Sequence, residues 1–259
     1  MPTKYLCTLL VVFSSAAFAQ QTATKDPTAM AIAQQSLAAM GGGQGFVDVQ
    51  AVGTTTVYGD TGALIYPITL QASGTASVRT TITKPYGAKS YVTDGTNVCV
   101  DNMQAAMSPD AQSDLALRRI DFVPALSILS QYADPNVQVQ YIGVDVSDGA
   151  PADVVALTFA PSGLSPGLDG FQALQRVFFI DRATSLVSKV QFMSTGAPKP
   201  QAEEVYSKYQ TFDGFAVPMD QATYVDGNLS QELVLTSVAF NTALDSSLFA
   251  TTCEVPNAQ

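Results

Sequence analysis

Gly163-Leu164-Ser165-Pro166-Gly167 spells G-x-S-x-G, the turn on which serine hydrolases present a nucleophilic hydroxyl. That chemistry needs a strand before the turn, a helix after it and a histidine to take the proton. The chain contains no histidine. The segment therefore reads as a Pro- and Gly-rich loop. The same absence removes Cys-His nucleophile pairs, HExxH zinc sites and haem held by histidine. Asp145, Asp148 and Asp153 are closely spaced acids, but they lack the twelve-residue calcium loop with its terminal Glu, and aspartate is an ordinary turn residue. Gly41-Gly42-Gly43-Gln44-Gly45 is not followed by Lys-Ser/Thr, and it comes after a helix and before a strand, the reverse of the phosphate-loop order. A carboxylate pair for glycoside cleavage stays open among 22 acidic residues, because it is defined by a separation in space. The expectation is a protein that is not an enzyme and uses no cofactor or metal.

Composition sharpens this. Only 13% of the 259 residues are charged, about half the ~25% usual in soluble domains, while 47% are apolar. Such a chain fills an interior or encloses an apolar hollow, and it is not disordered. Twelve basic residues against 22 acidic ones leave a net charge of −10, which excludes binding to a phosphate backbone.

Residues 1–19 read as a cleaved signal peptide. Lys4 gives the positive start, Tyr5 to Phe13 a short apolar core, and Ala17-Phe18-Ala19 an A-x-A cleavage site. That core is far shorter than the ~20 residues a bilayer span requires. Cys7 lies inside it rather than just after the cut, so no lipid anchor is expected. The mature chain, residues 20–259, is expected to be soluble and exported. Its two cysteines, Cys99 and Cys253, allow one disulfide in an oxidising compartment, with two separate buried thiols as the alternative. Asn228-Leu229-Ser230 is a formal glycosylation sequon, without meaning in a bacterial host.

The remaining sequence supplies positioning elements. Asp26-Pro27 opens a helix whose stripe is Met30, Ala33, Leu37 and Met40, stopped by Gly41 to Gly43. Strand patterns follow over 46–58, 64–71, 75–84 and 89–100, the last broken at Asp94-Gly95. Ser108-Pro109-Asp110 predicts a second helix closing at Arg118-Arg119, and Asp121 a third that carries Phe122, Leu126, Leu129 and Ala133 and ends at Asp134-Pro135-Asn136. Strand patterns return over 137–146, 153–160, 175–180, 186–193, 203–211, 215–225 and 229–240. Asp148-Gly149, Asp213-Gly214 and Asp226-Gly227 serve as turns. Strand after strand without intervening helices predicts one antiparallel meander of about eleven strands in a single mainly-β (α+β) domain. Val177-Phe178-Phe179-Ile180 puts apolar groups on both faces of one strand, so one face packs a helix while the other is either a chance exposure or the lining of a hollow.

Three segments carry a family resemblance. Tyr206 to Pro218 (YSKYQTFDGFAVP) resembles the strand, Asp-Gly turn and Val-Pro strand opening of the periplasmic lipoprotein carriers of the LolA/LolB type. Asn241 to Phe249 (NTALDSSLF) resembles their closing Asn…Leu-Asp…Phe element, and Phe179 to Leu186 (FIDRATSL) their hairpin across an Asp-x-x-Thr turn. The resemblance implies an unclosed β-barrel over residues 20–259, with the N-terminal helix and two middle helices across its mouth and an apolar cavity for acyl chains. It also implies a periplasmic place and partner proteins of the inner or outer membrane. The chain departs from LolB in lacking a lipid-anchored first cysteine.

The function expected is a soluble, monomeric carrier or binder of an acylated ligand, lipid or lipoprotein. Met30, Leu37, Phe122, Leu126 and Leu129 are expected in its helical lid, and Phe179, Phe192 and Tyr224 in its sheet lining. The rival is an envelope sensor or protein-interaction module of the same fold with a filled interior.

Overall fold

In the computed structural model, which describes residues 24–41, 46–60, 62–74, 77–93, 98–100, 103–104, 122–124, 128–159, 174–194 and 202–250, Asp26 starts a helix as its sequence dictates. Its carboxylate accepts from the amides of Thr28 (2.8 Å) and Ala29 (3.2 Å), and Pro27 takes the first position, where an amide would have no partner. This helix, α1 (Pro27–Ala39), runs into Met40 and Gly41, whose φ of +84° suits glycine. A Cβ at Gly41 would sit 2.4 Å from the Gly214 carbonyl oxygen, so the chain approaches the sheet too closely there for any side chain. The fully buried line is Ala29, Ala33, Ser36 and Met40. The expected stripe is thus turned by about one residue, and Met30 and Leu37 flank it, half-buried against the core. Small residues on the contact line let the helix lie close to the strands beneath.

The strands are β1 (Asp48–Gly59), β2 (Gly62–Ser73), β3 (Ser77–Lys84), β4 (Gly87–Thr93), β5 (Val98–Val100), β6 (Met103–Gln104), β7 (Val137–Asp145), β8 (Ala152–Phe159), β9 (Leu174–Asp181), β10 (Val187–Ser194), β11 (Ala202–Phe212), β12 (Phe215–Val225) and β13 (Asn228–Phe240). They form one antiparallel sheet ordered β6-β5-β4-β3-β2-β1-β13-β12-β11-β10-β9-β8-β7. Two meanders, β1 to β6 and β7 to β13, are joined where β1 pairs with β13, and β6 and β7 form the two outer ends, which leaves the sheet unclosed. Among the described residues the strands number thirteen rather than about eleven: β4 and β5 both fall within the pattern over 89–100, and a two-residue β6 is added. Asp213-Gly214 and Asp226-Gly227 make tight hairpin turns with positive φ at both residues, the twist that two-residue hairpins favour.

Neither predicted middle helix is shown among the described residues. The first, over Ser108 to Arg119, lies outside the described residues. Of the second, the described part is a four-residue 3-10 helix, Ile128–Gln131, closed by i→i+3 bonds from the amides of Tyr132 and Asp134. Asp134-Pro135 ends the segment, as its sequence predicts. This segment must carry the chain from the β6 end of the sheet to the β7 end, and where it is described it lies on the core face: Phe122, Val123 and Leu129 are buried there.

Register fixes which residues share a face. Val190 pairs with Phe178 on one side and Glu204 on the other, and Phe178 pairs with Val155. Their face, called inner here, holds the main core: Ala51, Leu70, Leu157, Phe178, Val190, Val217 and Leu235 pack with α1, Phe122 and Leu129. Phe215 and Phe240 stack at 4.3 Å, with Phe46 edge-on to both, at one end of it. The outer face carries a smaller cluster of Ala152, Val154, Ala156, Val177 and Phe179.

Candidate functional site

The cover of the inner face is tied down by main-chain bonds. At the start of α1, the Asp26 amide donates to the Val139 carbonyl (2.9 Å) and the Val139 amide to Thr24 (3.0 Å), so residues 24–26 extend the edge strand β7. At its end, the Ala216 amide donates to the Met40 carbonyl (3.2 Å). The second part of the cover is held by side chains. Lys25 Nζ donates to the carbonyls of Tyr132 (2.7 Å) and Asp134 (2.5 Å), and the buried Gln221 amide to Phe122 (3.0 Å). Burial pushes the Lys25 pKa down, against the Asp134 carboxylate, which raises it. Tyr209 donates to the Val187 carbonyl (2.6 Å), and burial drives its pKa up.

The residues expected to form one site divide between two faces. Met30, Leu37, Phe122, Leu129 and Phe192 belong to the inner core. Leu126 lies outside the described residues. Phe179 and Tyr224 are on the outer face, because Phe179 alternates with the inward Phe178, and Tyr224 pairs with Glu203, one residue from the inward Glu204. There they line a groove of about 380 Å³ with Asp145, Asp148, Lys189 and Glu203. Lys189 crosses its floor, 2.7 Å from the Asp148 carboxylate and 4.3 Å from the centre of the Phe179 ring.

Sequence reasoning missed two groups. Arg176 is 2% exposed on the inner face, its guanidinium 4.2 Å from the centre of the Phe192 ring; its place two residues before Phe178 was the available signal. The other is the inner-face strip that continues past the core along β1 and β2. Ile68 is 4% exposed, whereas Leu64 and Val57, paired with each other beyond it, are 54% and 40% exposed.

The three aspartates singled out for calcium have other partners. Asp145 accepts from the Ser147 amide and hydroxyl, Asp148 pairs with Lys189, and Asp153 accepts from the Tyr141 hydroxyl (2.9 Å) and pairs with Arg182 (3.3 Å). Among the described residues no group of three His, Cys, Asp or Glu could hold a metal ion. The 163–167 loop and residues 1–19 lie outside the described residues. Among those described, no helix is long and apolar enough to cross a membrane. Cys99 is buried and disulfide-bonded; Cys253 lies outside the described residues.

A single unclosed antiparallel sheet with a helix across one face defines the architecture. An outer membrane lipoprotein-sorting protein domain from Vibrio parahaemolyticus has it: the structures agree with a TM-score of 0.59 at 15% identity over 86% of this chain and 96% of that one. A LolA superfamily protein from Nitrosomonas europaea gives 0.57 at 14% identity over 86% and 97%, and a DUF1329 family protein from Desulfovibrio piger gives 0.57 at 9% over 87% and 98%. This chain has the LolA-like fold. No protein-family profile matches it. No curated protein matches it either.

Proposed function

We propose that this protein is an exported, non-enzymatic carrier or binder of an acylated hydrophobic ligand, a lipid or the acyl chains of a lipoprotein, held on the inner face by apolar contacts. Residues 1–19 direct export to the periplasm and are cleaved, and Cys99 pairs with Cys253. The observation that carries the reading is the apolar strip running out of the core: Leu64 and Val57 continue the line of Ile68 and Leu235 and stand 54% and 40% exposed. An acyl chain laid there replaces water. Each methylene buried contributes about 0.8 kcal/mol, so about ten of them reach micromolar affinity without any polar contact. The LolA-like fold agrees with this use, as one solved structure of that fold is described as a lipoprotein-sorting domain.

A fluorescent fatty acid titrated into the purified protein tests the reading. Saturable binding is expected, with Leu64→Asp weakening it at least tenfold while the exposed position keeps the fold intact. Leu129→Asp, in the cover, is expected to abolish it, and so is Leu126→Asp. No binding of any acyl probe or lipid extract would overturn the proposal.

A further inference from the structure

Resting on that reading, we infer that the ligand carries an anionic head group, and that Lys84 and Lys89 receive it at the open end of the inner face. The register places both lysines. Ile82 of β3 pairs with Ile68 of the core on one side and with Lys89 of β4 on the other, so Lys89 shares the inner face; Lys84 lies two residues beyond Ile82 on the same side. Lys84 Nζ lies 5.7 Å from the centre of the Tyr66 ring, and Lys89 Nζ 5.2 Å from that of Tyr91. Tyr66 pairs with Thr55, which pairs with Leu233 of the core, and Tyr91 pairs with Thr80, across from Leu70 of the core. Both rings therefore continue the apolar inner strip, and each carries an ammonium over it.

Charge separates this pair from five of the other described cations. Lys189, Lys208 and Arg182 each have a carboxylate, and Lys25 and Arg79 bond to carbonyls. Lys84 and Lys89 have no carboxylate or hydrogen-bond partner among the described residues, in a chain where acids outnumber bases 22 to 12. The nearby Glu232 is turned away: it neighbours the inward Leu233 on β13, so it faces outward, where Tyr58 donates to it. Two ammonium groups without an acid among the described residues, at the rim of an apolar strip, match an amphiphile with a hydrocarbon tail and a carboxylate or phosphate head. The tail lies along Leu64, Val57 and Ile68, and the head reaches the two lysines, each a charge-assisted contact.

A dansyl-labelled fatty acid and its methyl ester, titrated separately, test this. The acid is expected to bind the native chain at least tenfold more tightly than the ester. The double variant Lys84→Gln/Lys89→Gln should weaken the acid about tenfold or more and leave the ester unchanged. Equal binding of acid and ester, unaltered in the variant, overturns the head-group assignment and leaves the carrier reading standing. If neither probe binds the native chain, the carrier reading itself fails. Binding only to vesicles of anionic lipid, with no monomeric probe bound, overturns the assignment in favour of a membrane surface.

Discussion

The Asp48 carboxylate accepts hydrogen bonds from the amide (2.7 Å) and the hydroxyl (2.8 Å) of Thr242, 194 residues further along the chain. The Leu244 amide adds a third bond at 3.0 Å, and the Asn241 amide donates to the Asp48 carbonyl. The first residue of β1 is thus fastened to the chain leaving β13, at the seam that joins the two meanders. The segment that resembles a family's closing element in sequence has this mechanical role.

Burial raises the Asp48 pKa, but the bonds from Thr242 and Leu244 outweigh it and hold the carboxyl below its ordinary value. A depressed folded pKa contributes stability that is complete above the unfolded value of about 3.9 and is lost as pH falls through the folded one. Asp48→Ala is expected to lower stability by about 2–3 kcal/mol at pH 7. The gap between variant and native protein should shrink below about pH 4. Urea melts at pH 7 and pH 3 check both, and a gap independent of pH would contradict the assignment.

Ser36 makes a contrasting case. Its hydroxyl oxygen, on the buried side of α1, has no hydrogen-bond partner among the described residues. Ser36→Ala removes an unsatisfied polar group and improves helix propensity, so it should stabilise the protein by about 1 kcal/mol. A fall in the thermal midpoint would show that the hydroxyl has a partner after all.

On the outer face, the Lys189 side chain is 11% exposed and its partner Asp148 71% exposed. Removing the acid leaves a desolvated ammonium over Phe179, whereas removing the lysine leaves an acid in water. Asp148→Ala should therefore cost about 1–2 kcal/mol, and Lys189→Met less than about 1 kcal/mol. Equal costs in chemical denaturation would contradict this asymmetry.

The meander was legible because its turns are chemical signatures. Asp213-Gly214, Asp226-Gly227 and the Asp181 to Thr184 turn all stand where the sequence puts them, the last closed by Asp181 accepting from the Thr184 amide and hydroxyl. The side each strand shows was not legible. A run such as Val177 to Ile180 is apolar on both faces, so only the pairing with Val155 and Val190 reveals that Phe178 points inward and Phe179 outward. Tyr224 was misplaced for the same reason, and a register shift beside it, between Thr223 and Tyr224, compounds the difficulty. In the middle segment the apolar spacing of Phe122 and Leu129 gave burial, but spacing cannot tell an α-helix from the 3-10 turn found over Ile128–Gln131. Lys84 and Lys89 were unremarkable in sequence; their meaning comes from sharing a face with Ile82 and having no acid partner among the described residues.

The disulfide at Cys99 closes a long loop if its partner is Cys253, which the chain-entropy model values at up to about 5 kcal/mol. Thiol titration of the unfolded, unreduced chain lacking residues 1–19 should find no free cysteine, and reduction should lower its stability. Two titratable thiols per chain would contradict the pairing.

Native mass spectrometry of the purified protein, after incubation with a total bacterial lipid extract, addresses the central claim most directly. A one-to-one complex is expected, its added mass that of an anionic, acyl-bearing molecule, and it should be lost in the Leu64→Asp variant. A spectrum holding only the bare chain would contradict the account.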